Sequence, residues 1–147
     1  MGYIERAKRS GECRLVTGGS RLGNELADGY FIAPTIFSDV KPNTEVFRDE
    51  IFGPVLTFTK FETEEEAINL ANDTKYGLAG YLATNDLRRA HRVAAQIQAG
   101  IIFVTQPGGP SPAAPSGGYK QSGMGRIGGI EGIREFTQVK SVRIPLA

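Results

Sequence analysis

The sequence has few of the residues on which metal sites and nucleophilic sites depend. Its 147 residues include one cysteine, Cys13, one histidine, His91, and no tryptophan. A single cysteine excludes an intrachain disulfide and favours a reducing compartment. One sulfur and one nitrogen ligand are too few for a typical zinc site, so we expect no metal. Cys13 follows Glu12, and a neighbouring anion disfavours the thiolate that a nucleophile needs. The sequence therefore predicts no catalytic residue in this chain.

Strong charge of one sign and long hydrophobic runs are also lacking. The formal net charge is +1, which indicates neither a nucleic-acid partner nor an acidic membrane partner. The apolar run Ala99–Val104 is far shorter than the ~20 residues of a membrane helix. No signal-peptide pattern begins the sequence. We expect a soluble, cytoplasmic protein that binds no nucleic acid and no membrane.

What the sequence does have is an alternation of strand patterns and helix patterns. Strands are predicted at Arg14–Thr17, Tyr30–Phe37, Val55–Phe61, Gly80–Thr84, Ile101–Thr105 and Ser141–Pro145. Pro34 cannot donate to a ladder, so the second strand should lie at an edge or a bulge. Thr63 and Glu66 form a capping box, and Asn85 is the predicted cap of the next helix. The order indicates an α/β fold with a mostly parallel sheet and flanking helices.

Glycine is the one outlier in composition. There are 19 glycines, and 10 of them fall in Gly100–Gly132. The glycine- and proline-rich stretch 106–129 exceeds the ~12–15 residues usual for an ordered connection, which marks it as a candidate functional loop. It contains a G-x-G-x-x-G pattern at Gly123–Gly128. No buried strand precedes the pattern, and too few residues follow it for the rest of a dinucleotide site. A tight backbone path is the favoured interpretation.

The segment Glu50–Val55 carries the most informative chemistry. It combines a carboxylate, a large aromatic residue and a Gly-Pro turn immediately before a predicted strand. A carboxylate can accept two hydrogen bonds from neighbouring ribose hydroxyls, and an aromatic face can pack on a flat heterocycle. In an extended chain Glu50 and Phe52 would lie on the same side. From the residues alone, Phe52 as a core residue and Glu50 as a surface charge is the favoured alternative.

Six ordered segments resemble motifs of the aldehyde dehydrogenase superfamily. Glu50–Val55 is similar to its E-[IV]-F-G-P-V segment, and Gly117–Arg126 is similar to its G-G-x-K-x-S-G-x-G-R loop. The other four are Gly29–Thr35, Tyr76–Gly80, Thr84–Ala90 and Phe136–Val142. Six motifs in the right order are a far more specific signal than a single glycine pattern.

The resemblance implies a function for the longer protein and a place for this chain within it. Members oxidise aldehydes to acids with NAD or NADP. By resemblance, Glu50 binds the nicotinamide ribose and Phe52 lies against the nicotinamide ring. The chain is similar to the C-terminal part of the catalytic domain (1–137) followed by an oligomerisation strand (138–147). The family's nucleophile and general base belong to a section preceding the match, so we expect this chain alone to be inactive.

Two hypotheses follow from the resemblance. The first is a C-terminal fragment of an NAD(P)-dependent aldehyde dehydrogenase that acts on a small aldehyde and forms a homo-oligomer. The second is a stand-alone oligomerisation or binding module derived from that family. Three positions depart from the family pattern: Thr105 where Asn is usual, Ser116 where Phe is frequent and Ile127 where Glu is frequent. These departures leave the aldehyde substrate open.

Overall fold

The computed structural model describes residues 1–106, 108–109 and 111–145. The chain divides into two compact units, Met1–Asp73 and Thr74–Ala147. Helices and strands alternate in both units, which confirms the predicted α/β fold. Among the described residues, the strands form one three-stranded sheet and one two-stranded sheet. One of the strand pairings described is antiparallel and two are parallel.

The first unit contains three α-helices, a short 3-10 helix at Asn24–Leu26 and the three-stranded sheet. Its elements are α1 (Gly2–Ser10), β1 (Arg14–Thr17), β2 (Thr35–Ser38), α2 (Glu45–Arg48), β3 (Val55–Thr57) and α3 (Glu64–Asn72). The strand order is β1-β2-β3, with β1 antiparallel and β3 parallel to the central strand. The parallel register sets Thr35 beside Val55, which places the end of the Glu50–Pro54 segment at the start of β2.

The core of this unit lies between α1, α2 and the central strand. Its buried members are Ile4, Ala7, Phe37, Val40 and Val46. Two residues pack against this cluster: Ile51, in the segment that joins α2 to β3, and Val55, the first residue of β3. The burial of these two apolar side chains fixes the path of the segment, because each stabilises the folded unit by about 1–2 kcal/mol.

Two local predictions are adjusted in this unit. The strand expected over 30–37 begins only at Thr35, since Pro34 has no N–H to donate and the residues before it make only an isolated bridge at Ile32. The capping box forms in part. The Thr63 hydroxyl accepts from the Glu66 amide at 3.1 Å, but the Glu66 carboxylate reaches back to the Glu62 amide at 2.8 Å rather than to Thr63.

The second unit is built around two parallel strands. Its elements are β4 (Ala79–Leu82), α4 (Leu87–Ala94), β5 (Ile101–Val104) and α5 (Gly129–Arg134). Tyr81 stacks on Phe103 across the strand pair, with ring centroids 5.0 Å apart. The predicted cap of α4 is wrong by one position. Asp86, not Asn85, accepts from the Arg88 and Arg89 amides, because a carboxylate at this position reaches two free N–H groups at once.

The C-terminal segment shows no strand over residues 138–145. Positions 146–147 of the predicted oligomerisation strand lie outside the described residues, as do Pro107 and Pro110 of the predicted loop. An edge strand requires a second strand for its hydrogen bonds, so this strand stays a prediction. Within the residues that the structure describes, no helix is long and apolar enough to span a membrane.

Candidate functional site

The segment Glu50–Pro54 is a loop with both ends fixed. At its start, the Asp49 amide donates to the Glu45 carbonyl at 2.9 Å, which ties the chain to the last turn of α2. At its end, the Pro54 carbonyl accepts from the Thr35 amide at 2.8 Å. The loop therefore spans from a helix end to the central strand of the sheet, with little freedom at either anchor.

Phe52 is an exposed aromatic residue in this loop. Its side chain is 90% exposed, and its backbone has φ +52°. The left-handed conformation costs roughly 1–2 kcal/mol for a residue with a Cβ, and an exposed phenyl ring gains no burial in return. Ile51 takes the core position instead. The favoured alternative from the residues alone, that Phe52 is a core residue, does not hold in this unit.

Glu50 lies two residues earlier, and it is also exposed. Its carboxylate has no hydrogen-bond or ion-pair partner among the described residues. Both oxygens are therefore available to hydroxyl donors. The expectation that Glu50 and Phe52 share a side assumed an extended chain. The left-handed backbone at Phe52 departs from that path, because alternation of sides holds only for extended residues.

A polar cluster holds the helix from which this loop departs. The Arg6 guanidinium binds both carboxylate oxygens of Glu45, at 2.6 and 2.9 Å, and the Tyr3 hydroxyl donates to Asp49 at 3.3 Å. The negative charge of Asp49 raises the pKa of the Tyr3 phenol, which favours the protonated hydroxyl that donates this hydrogen bond. These contacts join α1 to α2 and to the first residue after it.

The other candidate residues form no comparable site. Cys13 is half-buried, and its thiol donates to the Ala7 carbonyl at 3.4 Å. His91 is exposed on α4. No group of three His, Cys, Asp or Glu side chains suited to a metal occurs within residues 1–106, 108–109 and 111–145. In the glycine pattern, Gly125 and Gly128 have φ +73° and +74°, as a tight backbone path requires.

One residue supports the loop in a way that its sequence motif does not reveal. Thr35 ends the Gly29–Thr35 motif, but nothing in that motif indicates that its amide donates to the Pro54 carbonyl, which is far along the chain. Only the strand pairing of β2 with β3 brings the two segments together.

Comparison with known proteins identifies the family. A family model described as the aldehyde dehydrogenase family matches residues 1–142. The chain belongs to the aldehyde dehydrogenase family. An aldehyde dehydrogenase of Mycobacterium tuberculosis, solved in complex with NAD+, is 44% identical with a TM-score of 0.88, over 98% of this chain and 29% of that chain.

Two further solved aldehyde dehydrogenases give the same result. An indole-3-acetaldehyde dehydrogenase of P. syringae, a mutant in complex with NAD+ and IAA, is 42% identical with a TM-score of 0.87, over 99% of this chain and 29% of that chain. A betaine aldehyde dehydrogenase mutant of Staphylococcus aureus, in the apo form, is 41% identical with a TM-score of 0.85, over 92% and 27% of the respective chains. This aldehyde dehydrogenase chain thus spans less than a third of the length of these relatives.

Proposed function

We propose that this chain is the C-terminal section of an NAD(P)-dependent aldehyde dehydrogenase, and that its Glu50–Pro54 loop receives the nicotinamide riboside of the cofactor. The observation that carries the proposal is Phe52, a phenyl ring 90% exposed on a left-handed backbone. A bulky residue keeps such a conformation only where its surroundings impose it, and such residues cluster at ligand sites. The NAD+ complexes of the relatives support the choice of ligand.

The chemistry of the two side chains fits the two parts of this ligand. The Glu50 carboxylate can accept hydrogen bonds from both ribose hydroxyls. The Phe52 ring offers an apolar face to the planar nicotinamide, whose positive charge in the oxidised form is attracted to an aromatic face. When bound, the cofactor supplies the hydride acceptor for oxidation of an aldehyde to an acid. This chain's part is to hold and orient the ribose and the ring.

A titration of the chain itself tests the ligand assignment. We expect nicotinamide mononucleotide to shift the amide resonances of Glu50–Gly53 in a heteronuclear NMR spectrum, and AMP to leave them unchanged. Affinity should be weak, in the millimolar range, because two side chains offset little of the entropy lost on binding. The Phe52→Ala variant should lose the shifts, whereas Phe61→Ala, which removes another exposed phenyl ring of the same unit, should keep them. Equal shifts with AMP would contradict the proposal.

No residue of this chain is proposed as nucleophile or general base. The Cys13 thiol, just before β1, is half-buried and donates to the Ala7 carbonyl of α1, so it is not presented to a substrate. We expect the purified chain to form no NADH from NAD+ and a small aldehyde. NADH formation above the rate without protein would overturn this part, whether or not it survives Cys13→Ala.

A free thiol also supports a reducing, cytoplasmic location.

A second proposed role is self-association through residues 138–147. Over 138–145 the chain forms no strand, and Val139, Val142 and Ile144 are 99%, 72% and 76% exposed. An exposed apolar segment without strand partners can add to the edge of another chain's sheet. We expect light scattering to show an oligomer for the full chain and a smaller species after truncation at Thr137. A monodisperse monomer at high concentration would contradict this role.

A further inference from the structure

Thr35 is a buried polar residue whose hydrogen bonds are all made inside the first unit. It begins β2 and is 1% exposed. Its hydroxyl accepts from the Gly19 amide at 2.9 Å and donates to the Ala33 carbonyl at 2.8 Å. A hydroxyl has one proton to donate, and here the Ala33 carbonyl accepts it. The side chain therefore has one orientation, fixed from two directions.

The backbone around this hydroxyl leaves no room for adjustment. Gly18 has φ +75°, and a Cβ placed on it would lie 2.7 Å from the Thr35 hydroxyl oxygen. Gly19 follows with φ +83°, and its carbonyl accepts from the Lys8 ammonium at 3.3 Å. The turn after β1 is thus packed directly on the hydroxyl, and α1 holds that turn in place.

The same residue holds the end of the candidate cofactor loop. The Thr35 amide donates to the Pro54 carbonyl at 2.8 Å, and the Val55 amide closes a tight turn on Gly53 at 2.7 Å. Phe52 precedes this turn directly. Since left-handed backbone at a phenylalanine is unfavourable on its own, the anchors at the two ends of the loop must impose it.

We propose that Thr35 is a positioning residue for the Glu50–Pro54 loop. Its buried hydroxyl fixes the orientation of its own amide, the amide fixes Pro54, and the turn at Gly53 and Pro54 holds Phe52 in the left-handed conformation. The choice of nicotinamide mononucleotide as the ligand in the test below rests on the proposed function. The expected effect of Thr35 on the backbone conformation of Phe52 does not depend on it.

The test compares two buried threonines of the first unit. Thr35→Val keeps the shape of the side chain and removes both hydroxyl hydrogen bonds. Thr44→Val is the matched control, because Thr44 is 5% exposed and its hydroxyl donates to the Lys41 carbonyl at 2.7 Å, away from Pro54. The readouts are the HN–Hα coupling and Cα chemical shift of Phe52, which distinguish left-handed from extended backbone, and the response to nicotinamide mononucleotide.

We expect Thr35→Val to move the Phe52 coupling and Cα shift towards extended values, and Thr44→Val to leave them unchanged. The affinity for nicotinamide mononucleotide should fall by about threefold if two thirds of the molecules leave the left-handed state. Thr35→Ser retains the hydroxyl and should restore both readouts, and it keeps the test decisive if the valine variant does not fold.

The outcomes separate the two proposals. An unchanged Phe52 backbone in Thr35→Val, or equal changes in both valine variants, would overturn the positioning role. Failure of Thr35→Ser to restore the Phe52 coupling, where Thr35→Val has lost it, would overturn that role as well. A wild-type chain that does not respond to nicotinamide mononucleotide would contradict the cofactor site, and the Phe52 coupling would still decide the role of Thr35.

Discussion

Ser116 and Ile127 face each other in an isolated antiparallel bridge. The Ser116 amide donates to the Ile127 carbonyl at 2.7 Å, and the Ile127 amide donates to the Ser116 carbonyl at 2.8 Å. These are two of the positions at which the sequence departs from the aldehyde dehydrogenase pattern. Side chains of directly opposed residues lie ~5 Å apart, so the two departures occur at one place, and the backbone rather than either side chain holds them together.

The first prediction concerns this bridge. Ser116→Pro removes the donor of the 2.7 Å hydrogen bond and leaves the Ile127 carbonyl without that partner, so we expect it to lower the free energy of unfolding by about 1–3 kcal/mol. Ser116→Ala keeps the N–H and should change it by no more than ~0.5 kcal/mol. Urea unfolding followed by circular dichroism measures both. Equal losses for the two variants would show that the side chain, not the amide, is responsible.

The second prediction concerns the start of α4. Asp86 accepts from the Arg88 and Arg89 amides at 2.9 and 3.1 Å. We expect Asp86→Ala to lower the free energy of unfolding by ~1 kcal/mol, because two amides at the helix start lose their acceptor. Asn85→Ala is the neighbouring control and should be close to neutral. Thermal unfolding measures the stability of both variants. A larger loss of stability in Asn85→Ala than in Asp86→Ala would contradict the cap assignment.

Local patterns predicted much of the fold. The strand Arg14–Thr17 has the predicted bounds, and β5 differs from its prediction only at Thr105. These elements depend on β-branched and apolar residues in short runs, which act locally. The predicted cap of α4 is wrong by one residue, since both Asn85 and Asp86 are good capping residues and only the chain path decides between them.

The sequence proposes the residues of the candidate site but not their geometry. Glu50 and Phe52 stand out because of their motif and chemistry. The left-handed backbone of Phe52 could not be predicted, because it depends on hydrogen bonds to Glu45 and Thr35. Contacts between segments far apart in sequence determine such strain, and a single sequence does not encode them in any local pattern.

The third prediction concerns Thr105, which departs from the family pattern at the end of β5. It has φ +65°, which is unfavourable for a β-branched residue and much less so for Asn. We expect Thr105→Asn to raise the free energy of unfolding by ~0.5–1 kcal/mol, as relief of strain exceeds the loss of the 2.8 Å bond from its hydroxyl to the Thr84 carbonyl. Thr57→Asn makes the same change within β3 and should be destabilising. Denaturant unfolding that shows equal losses for both would contradict the strain argument.

The last prediction concerns pH. A hydrogen bond from the Lys60 ammonium, 2.8 Å from the carboxylate, and a second from Ser38 lower the pKa of Asp39 to about 2. In the unfolded chain the pKa of Asp39 is ~3.9. Between this pKa and that of the folded chain, the unfolded chain binds more protons, so the free energy of unfolding rises with pH in that range. The contribution of Asp39 is therefore complete above about pH 4 and is lost as the pH falls towards about 2.

Two variants isolate this contribution. Asp39→Asn suits the left-handed backbone at this position, where φ is +55°, and it removes the titration. Unfolding midpoints should therefore depend less steeply on pH between about 2 and 4 than in the unmodified chain. Lys60→Met should raise the pKa of Asp39 in a carbon-detected NMR titration, whereas Lys8→Met, which breaks the pair with Glu5, should not. Because the carboxylate is solvent-exposed, added salt should weaken the effect of Lys60, and a salt-independent Asp39 pKa would assign the shift to Ser38 instead.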